Sequence, residues 1–194
     1  MIAPFPIARV TLGLLAGGRA TRLGGMDKAW LVREGVPQVL RLARRFDAQV
    51  AAVIVSANRG RERYEASGLN SVPDRVADAG PLGGIAALAH ACATEWLLTL
   101  PVDLIGVNEC LLPSLAAGTS GSGAYAVDDD GVQPLVALWP VKPLRASSGD
   151  ALARGAFSVQ ALQEGMSMQA VRFAGVRFGN LNTPGDLAAA GFAT

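Results

Sequence analysis

The stretch Val10-Thr11-Leu12-Gly13-Leu14-Leu15-Ala16-Gly17-Gly18-Arg19-Ala20-Thr21-Arg22-Leu23-Gly24-Gly25-Met26-Asp27-Lys28 decides how this chain folds. Val10 to Ala16 is a short apolar run that stops at Gly17-Gly18, which predicts a buried strand feeding a tight loop. Gly17, Gly18, Gly24 and Gly25 permit sharp turns and let backbone N–H groups face an anion without Cβ crowding. Arg19, Arg22 and Lys28 add side-chain donors: the arginines can grip phosphate oxygens in pairs, and Lys28 is a compact point charge suited to a polyphosphate. The pattern is neither of the commoner phosphate loops. Lys28 is preceded by Asp27 and followed by Ala29, so there is no Gly-Lys-Ser or Gly-Lys-Thr ending. The next apolar strand closes on Val55-Ser56-Ala57-Asn58, without the acid a dinucleotide fingerprint needs.

Working outward, Pro37 to Phe46 has helical spacing and Val50 to Ser56 reads as a second buried strand. Arg61 to Ser67 predicts a short helix stopped by Gly68, and Leu69 to Val72 a third strand. Gly80-Pro81-Leu82-Gly83-Gly84 reads as a turn opening into a helix over Ile85 to Cys92. Glu95 to Leu100 is a fourth strand, and Asn108 to Ala117 a helix capped by Asn108. Strands apolar on both faces alternate with helices, the signature of a parallel sheet covered on both sides. Further on, Ala124 to Val127 and Gln133 to Trp139 predict strands joined by a solvated acidic turn, Asp128-Asp129-Asp130-Gly131. Pro143 to Ala153, Ser158 to Glu164 and a terminal segment from Thr183 predict helices, and Gln169 to Phe173 a last strand. The expectation is one α/β domain over residues 1–194, a three-layer α/β/α Rossmann-like sandwich with a mostly parallel sheet.

Composition bounds the partners. Apolar residues make up 51%, enough for a packed core. Seventeen Lys and Arg against 16 Asp and Glu leave a net charge of +1, so nucleic acid is not the expected substrate. Cys92 and Cys110 form no metal-binding pair and read as buried thiols. No signal core and no membrane-spanning run is found, so a cytoplasmic location is expected. His90 stands alone among histidines and predicts packing or surface rather than a zinc site.

Several segments together carry a family resemblance: Leu15-Ala16-Gly17-Gly18 through Gly24-Gly25-Met26-Asp27-Lys28, Ser56-Ala57-Asn58-Arg59, Pro73-Asp74, Gly80-Pro81-Leu82-Gly83-Gly84-Ile85, Pro101-Val102-Asp103, and Asn180-Leu181-Asn182-Thr183-Pro184-Gly185-Asp186-Leu187. In this order they resemble the molybdenum cofactor guanylyltransferases, within the nucleotide-diphospho-sugar transferase superfamily. The resemblance implies that GMP passes from GTP to the terminal phosphate of the molybdopterin cofactor, with release of pyrophosphate and with Mg2+ as cofactor. It implies that backbone from Leu15 through Ala16 to Gly17, with Gly18 and Arg19 beside it, holds the nucleotide. Lys28 would bind its phosphates and Asp103 the metal. Asp74 and Ser56 to Asn58, near Gly83, would place the nucleoside, and Asn180 and Asn182 would lie on the acceptor side. Partners are then the two small molecules, with transient contacts to cofactor-biosynthesis or maturation proteins, and the chain a monomer or weak homo-oligomer. Two departures stand out. Val102-Asp103-Leu104-Ile105 keeps the acid without the polar neighbours and proline of many relatives, and Gly155-Ala156-Phe157-Ser158-Val159 lacks an arginine found there in others.

Read as chemistry, Asp103 ends a buried strand, and ligands of open parallel sheets bind beyond the carboxyl ends of strands. A carboxylate, triphosphate oxygens and water would satisfy magnesium. Lys28, Asp103 and Arg22 are the catalytic candidates, Arg22 on the β- or γ-phosphate. Asp74 could accept from guanine N1–H and its amino group, hold ribose, or cap a turn, and Asn58 is equally open. Leu15-Ala16-Gly17-Gly18 favours GTP over CTP by resemblance, since cytidylyl relatives tend toward Leu-Ala-Ala-Gly. A cytidylyltransferase or sugar-phosphate nucleotidyltransferase of the same fold is the alternative, as is a non-catalytic nucleotide-binding relative.

Overall fold

The computed structural model describes residues 7–17 and 27–192. In chain order its strands are β1 (Val10–Leu15), β2 (Val32–Arg33), β3 (Val36–Pro37), β4 (Ala52–Ser56), β5 (Asn70–Val72), β6 (Trp96–Pro101), β7 (Ala124–Asp128), β8 (Gly131–Pro140) and β9 (Gln169–Arg172). The helices are α1 (Gln38–Phe46), α2 (Arg61–Ala66), α3 (Gly80–Ala91), α4 (Leu111–Gly118), α5 (Val141–Ala153), α6 (Val159–Gly165) and α7 (Pro184–Ala189). One sheet takes the order β5-β4-β1-β6-β8-β7-β9. β5, β4, β1 and β6 run parallel, β8 is antiparallel to both β6 and β7, and β9 pairs parallel with β7.

The alternation along β1 sorts the layers. Val10, Leu12 and Leu14 join Val39 and Leu42 of α1 and Leu111 and Leu115 of α4 in one core. Leu15 joins the opposite layer, with Leu82, Ile85 and Leu88 of α3 and Leu144 of α5. Gly13 faces that second layer, where an added Cβ would come within 2.9 Å of both Leu88 and Leu97 side chains. Fully burying an aliphatic side chain stabilises by about 1.5–3 kcal/mol, so β1, buried at all six positions, is held hard from both faces. Its carboxyl end is therefore a fixed point. The fold is α/β with a mixed, mostly parallel sheet flanked by helices, a Rossmann-like arrangement. No helix among the described residues is long and apolar enough to cross a membrane.

Several local expectations need correction. Gly80-Pro81-Leu82-Gly83-Gly84 is not a turn ahead of a helix but the first turns of α3, with Pro81 at the start where its missing N–H costs nothing. Gly83 and Gly84 serve close approach: a Cβ on Gly84 would lie 2.7 Å from Ser56 Oγ and 2.9 Å from Leu15 Cδ2. Asp128 is fully buried rather than solvated, because its carboxylate organises the β7–β8 turn. Cys110 is exposed while Cys92 is buried, and both are free thiols. Asn108 accepts from Cys110 N at 3.0 Å, so it caps a turn and α4 begins later, at Leu111. α5 starts at Val141, ahead of Pro143. β2 and β3 form a hairpin that the sequence pattern does not suggest, turned by Glu34 and Gly35 at φ 52° and 76°.

Candidate functional site

The register of the parallel strands lines up their carboxyl ends. Leu15 pairs with Ser56 on one side and with Pro101 on the other, and Ser56 pairs with Val72. Ala16 N donates to Ser56 O at 2.9 Å and Val102 N to Leu15 O at 3.1 Å, extending the ladder past the strand ends. Gly17, Asn58, Asp74 and Asp103 thus leave the sheet along one rim. Asp103 does not itself end the strand: β6 closes at Pro101 and Asp103 sits in the turn beyond it.

Two polar groupings flank the end of β1. In the first, the Asp74 carboxylate accepts from Ser56 Oγ at 3.0 Å through one oxygen and from Asn58 Nδ2 at 2.9 Å through the other. Asp74 N returns a bond to Asn58 Oδ1 at 2.8 Å, so Asn58 and Asp74 hold each other reciprocally. Gly17 and Gly83 border this carboxylate: Cβ atoms built on them would lie 4.0 and 3.4 Å from Asp74 Oδ2. Ser56 is buried, Asp74 half-buried and Asn58 exposed, which leaves a polar ledge open to solvent.

In the second, Lys28 Nζ donates to Asp103 Oδ2 at 2.7 Å and to Asn182 Oδ1 at 2.7 Å. The Lys28 and Asp103 side chains are 20% and 22% exposed, enough for a ligand to reach them. Lys28 opens a tight turn that is firmly seated. Asp27 Oδ1 accepts from Ala29 N, and Ala29 and Trp30 are buried. Trp30 packs on Tyr64 of α2 with ring centroids 5.0 Å apart, and the Arg63 guanidinium lies 4.1 Å from the Trp30 ring centre. Burial, together with the charge of Asp27, pushes the Tyr64 hydroxyl up to about 12.

Asn180 and Asn182 arrive on a segment clasped to the Asp103 turn. Leu104 and Asn180 form an antiparallel bridge, Leu181 N donates to Asp103 O at 2.9 Å, and Ile105 N donates to Gly179 O at 2.8 Å. Asp186 is a residue that the sequence reading misses, yet it fixes the Asn182 backbone: its carboxylate accepts from Asn182 N at 3.0 Å and from Thr183 N at 2.8 Å. Those bonds, with Lys28 nearby, hold its carboxyl below the usual range. The signal is present in the sequence, since Thr183 and Asp186 have the spacing of a capping box. Leu15 and Ala16 lie at the end of β1, as the strand pattern predicts. Gly18, Arg19 and Arg22 lie outside the described residues.

Ser56, Asn58 and Asp74 therefore come together, as do Lys28, Asp103 and Asn182, with β1 between them. The ends of β4 and β6, from which Ser56 and the Asp103 turn emerge, are two strand spacings apart, about 10 Å, a span that a nucleotide can cover. The sequence model of the MobA-like NTP transferase domain matches residues 13–166. A molybdenum cofactor guanylyltransferase of Yersinia pestis (strain Pestoides F) is 34% identical over 181 residues, which cover 91% of this chain and 92% of that protein.

The chain belongs to the MobA-like NTP transferase family.

Solved structures share the fold of this family member. A nucleotidyl transferase from Methanothermobacter thermautotroptrophicus matches with a TM-score of 0.73 at 19% identity, covering 94% of this chain and 96% of that one. Molybdopterin-guanine dinucleotide biosynthesis protein A from Archaeoglobus fulgidus matches with a TM-score of 0.71 at 18% identity, covering 93% and 96%. As a MobA-like NTP transferase the chain is a nucleotidyltransferase of this superfamily.

Proposed function

We propose that this MobA-like protein transfers GMP from GTP to the terminal phosphate of the molybdopterin cofactor and releases pyrophosphate. The observation that carries the reading is the bonding of Lys28 Nζ to both Asp103 and Asn182. Three segments far apart in sequence thereby present a cation, an acid and an amide at one point beside the polar ledge of Asp74. The identity with the Yersinia pestis guanylyltransferase supports the choice of nucleotide and acceptor.

Magnesium suits this donor set. Asp103 offers one carboxylate, and no group of three His, Cys, Asp or Glu side chains among the described residues could cage an ion by itself. Magnesium keeps water and takes one or two carboxylates plus substrate phosphates, so it would be held by Asp103 together with the triphosphate. When bound it would offset charge on the phosphates.

The remaining roles fall to the chain. Asp74, steadied by Ser56 and Asn58, would receive the nucleoside, and the backbone of Leu15 to Gly17 would border the phosphates. Lys28 would leave Asp103 for the phosphate oxygens and oppose the charge that grows on the leaving pyrophosphate. An ionised oxygen of the acceptor phosphate attacks the α-phosphorus, the bond to the β-phosphate oxygen breaks, and no protein group must take a proton. Asn182 and Asn180 would border the acceptor.

Pyrophosphate release by the purified chain with GTP, magnesium and molybdopterin cofactor tests the reading. Release is expected, and Lys28→Ala and Asp103→Ala should each lower kcat by on the order of 10²–10³ with the fold retained. Faster release from CTP would move the reading to a cytidylyl donor. Nucleotide binding with no release across phosphate acceptors would overturn it.

A further inference from the structure

Among the described residues, those assigned to nucleotide transfer leave one buried charge unused. Asp128, at the end of β7, is 0% exposed. Its Oδ1 accepts from Asp130 N at 2.9 Å, Gly131 N at 3.0 Å and Gln133 Nε2 at 3.2 Å, all within the β7–β8 hairpin. Its Oδ2 accepts from Phe178 N at 2.7 Å, fifty residues away. A hairpin turn needs only the first oxygen. An aspartate there could remain half-solvated, as its neighbour Asp130 does at 52% exposure, so burying it needs another reason.

The reason lies in the segment beyond Phe178. Gly179 O takes Ile105 N, Asn180 bridges Leu104, and Leu181 N binds Asp103 O. Asn182 then meets Lys28. The segment 178–182 is therefore a strap, gripped at its start by Asp128 and zipped residue by residue to the turn that carries Asp103. Because successive residues point to opposite sides, a slip of one residue would exchange Asn182 for its neighbour at Lys28. The hairpin side supplies further anchorage upstream. Asp129 N donates to Val176 O at 3.0 Å, Arg172 Nη1 donates to Asp128 O, and Arg172 Nη2 pairs with the Asp129 carboxylate. These hold residues 172–176, while the bond from Phe178 is the last fixed point before the strap reaches the site.

We infer that Asp128 is a positioning residue: its carboxylate sets the register of the strap 178–182 and so fixes Asn182 against Lys28 and Asp103. The inference rests on the proposed transfer reaction only for its catalytic consequence. Its structural consequence stands by itself. Four hydrogen bonds outweigh burial and hold the Asp128 carboxyl below its usual range, consistent with a charged anchor.

Asp128→Asn separates the two oxygens. The remaining carbonyl can still serve the three donors of the hairpin, and the new NH2 then opposes the Phe178 N–H. Amide hydrogen exchange and side-chain amide resonances of the full chain read the result. Exchange at Phe178, Leu181 and Ile105 is expected to quicken about tenfold or more, the cost of one hydrogen bond to a charge. The Asn182 side-chain resonances should shift, while amides within β7 and β8 stay close to wild type. Asp130→Asn, whose carboxylate forms an exposed pair with Arg177 at 3.4 Å, should leave all of these unchanged. If Asp128→Asn does not fold, Gly179→Ala replaces it: a Cβ there would meet the Ile105 side chain at 2.9 Å and should loosen the same residues without touching Asp128.

In turnover, kcat should fall with the KM for nucleotide nearly unchanged, because the Asp74 ledge does not depend on the strap. Unchanged exchange at 178–182, or an equal rise across the whole sheet, would overturn the inference whatever the activity of the wild type. So would a loosened strap with kcat intact in an active enzyme. A loosened strap in a wild-type background that releases no pyrophosphate would leave Asp128 as the positioning residue and remove the proposed reaction instead.

Discussion

At the scale of the residue, Lys28 sits against the Asp103 oxygen to which the proposed function assigns a divalent cation. An ammonium 2.7 Å from Asp103 Oδ2 already neutralises that carboxylate, and a dication approaching the pair meets its repulsion. In the proposed reaction, nucleotide phosphates would relieve the conflict by drawing Lys28 away. The nucleotide-free protein should therefore bind divalent ions poorly because of Lys28. Lys28→Gln should raise its affinity for Mn2+ by about tenfold, the order expected for removing one unit charge near the protein surface. Electron paramagnetic resonance titration without nucleotide measures this, and Lys28→Gln/Asp103→Asn should lose the gain. An affinity unaltered by Lys28→Gln would mean that the ion pair does not guard the acid. At the same scale, Asp74 has both oxygens engaged before any ligand arrives, so its carboxylate is already held in one orientation.

At the scale of the element, α3 shows how close packing delivers the site. Its first two turns press against the ends of β1 and β4, and only glycine fits where Gly84 meets Ser56 and Leu15. Gly84→Ala should destabilise the fold by about 1–3 kcal/mol through overpacking and weaken nucleotide binding by displacing Ser56 from Asp74. Gly149→Ala, in the exposed middle of α5 with no atom near the added Cβ, should instead stabilise by about 0.4–1 kcal/mol. Urea unfolding of both variants checks the pair, and a Gly84→Ala protein as stable as wild type would refute the close-approach account. The glycines of α3 also mark a limit of sequence reading. Gly-Pro-Leu-Gly-Gly carries turn chemistry locally, and only the tertiary neighbour reveals that the missing Cβ makes room. The apolar runs of β1, β4 and β6 and the helix starts at Ser158 and Thr183 are legible because each reports on its own backbone. Asp128 is not, since three acids and a glycine look solvated until a distant Phe178 N–H is brought to them. The meeting of Lys28 with Asp103 is legible in outline, because parallel strands place their carboxyl ends together. Asn182 can be placed only by resemblance.

At the scale of the whole molecule, the site stands between two halves of different make. The parallel half, β5-β4-β1-β6, supplies Asp74 and Asp103, and the antiparallel half supplies the strap. Beyond the sheet itself they are joined by the strap's bonds to residues 103–105 and by α3 packed on α5, and the Asp128 bond to Phe178 anchors that strap to its own half, so stability and site geometry share a titratable link. The sign comes from the direction of its shift. The unfolded carboxyl titrates near its ordinary value of 3.8 and the folded one below it. The stabilisation is therefore fully present above the ordinary value and is lost as pH falls through the folded value. Asp186 shifts in the same direction for the same kind of reason and adds to the loss. Wild-type stability should decline as the pH drops between about 5 and 2, with Asp128 contributing a slope of up to about 1.4 kcal/mol per pH unit, the limit for one proton. Asp128→Asn should be less stable at neutral pH and should show a shallower acid limb, because its side chain takes up no proton. Urea titrations at a series of pH values measure both curves. Parallel curves for the two proteins would mean that Asp128 keeps the same pKa folded and unfolded, and that its charge contributes nothing to holding the strap.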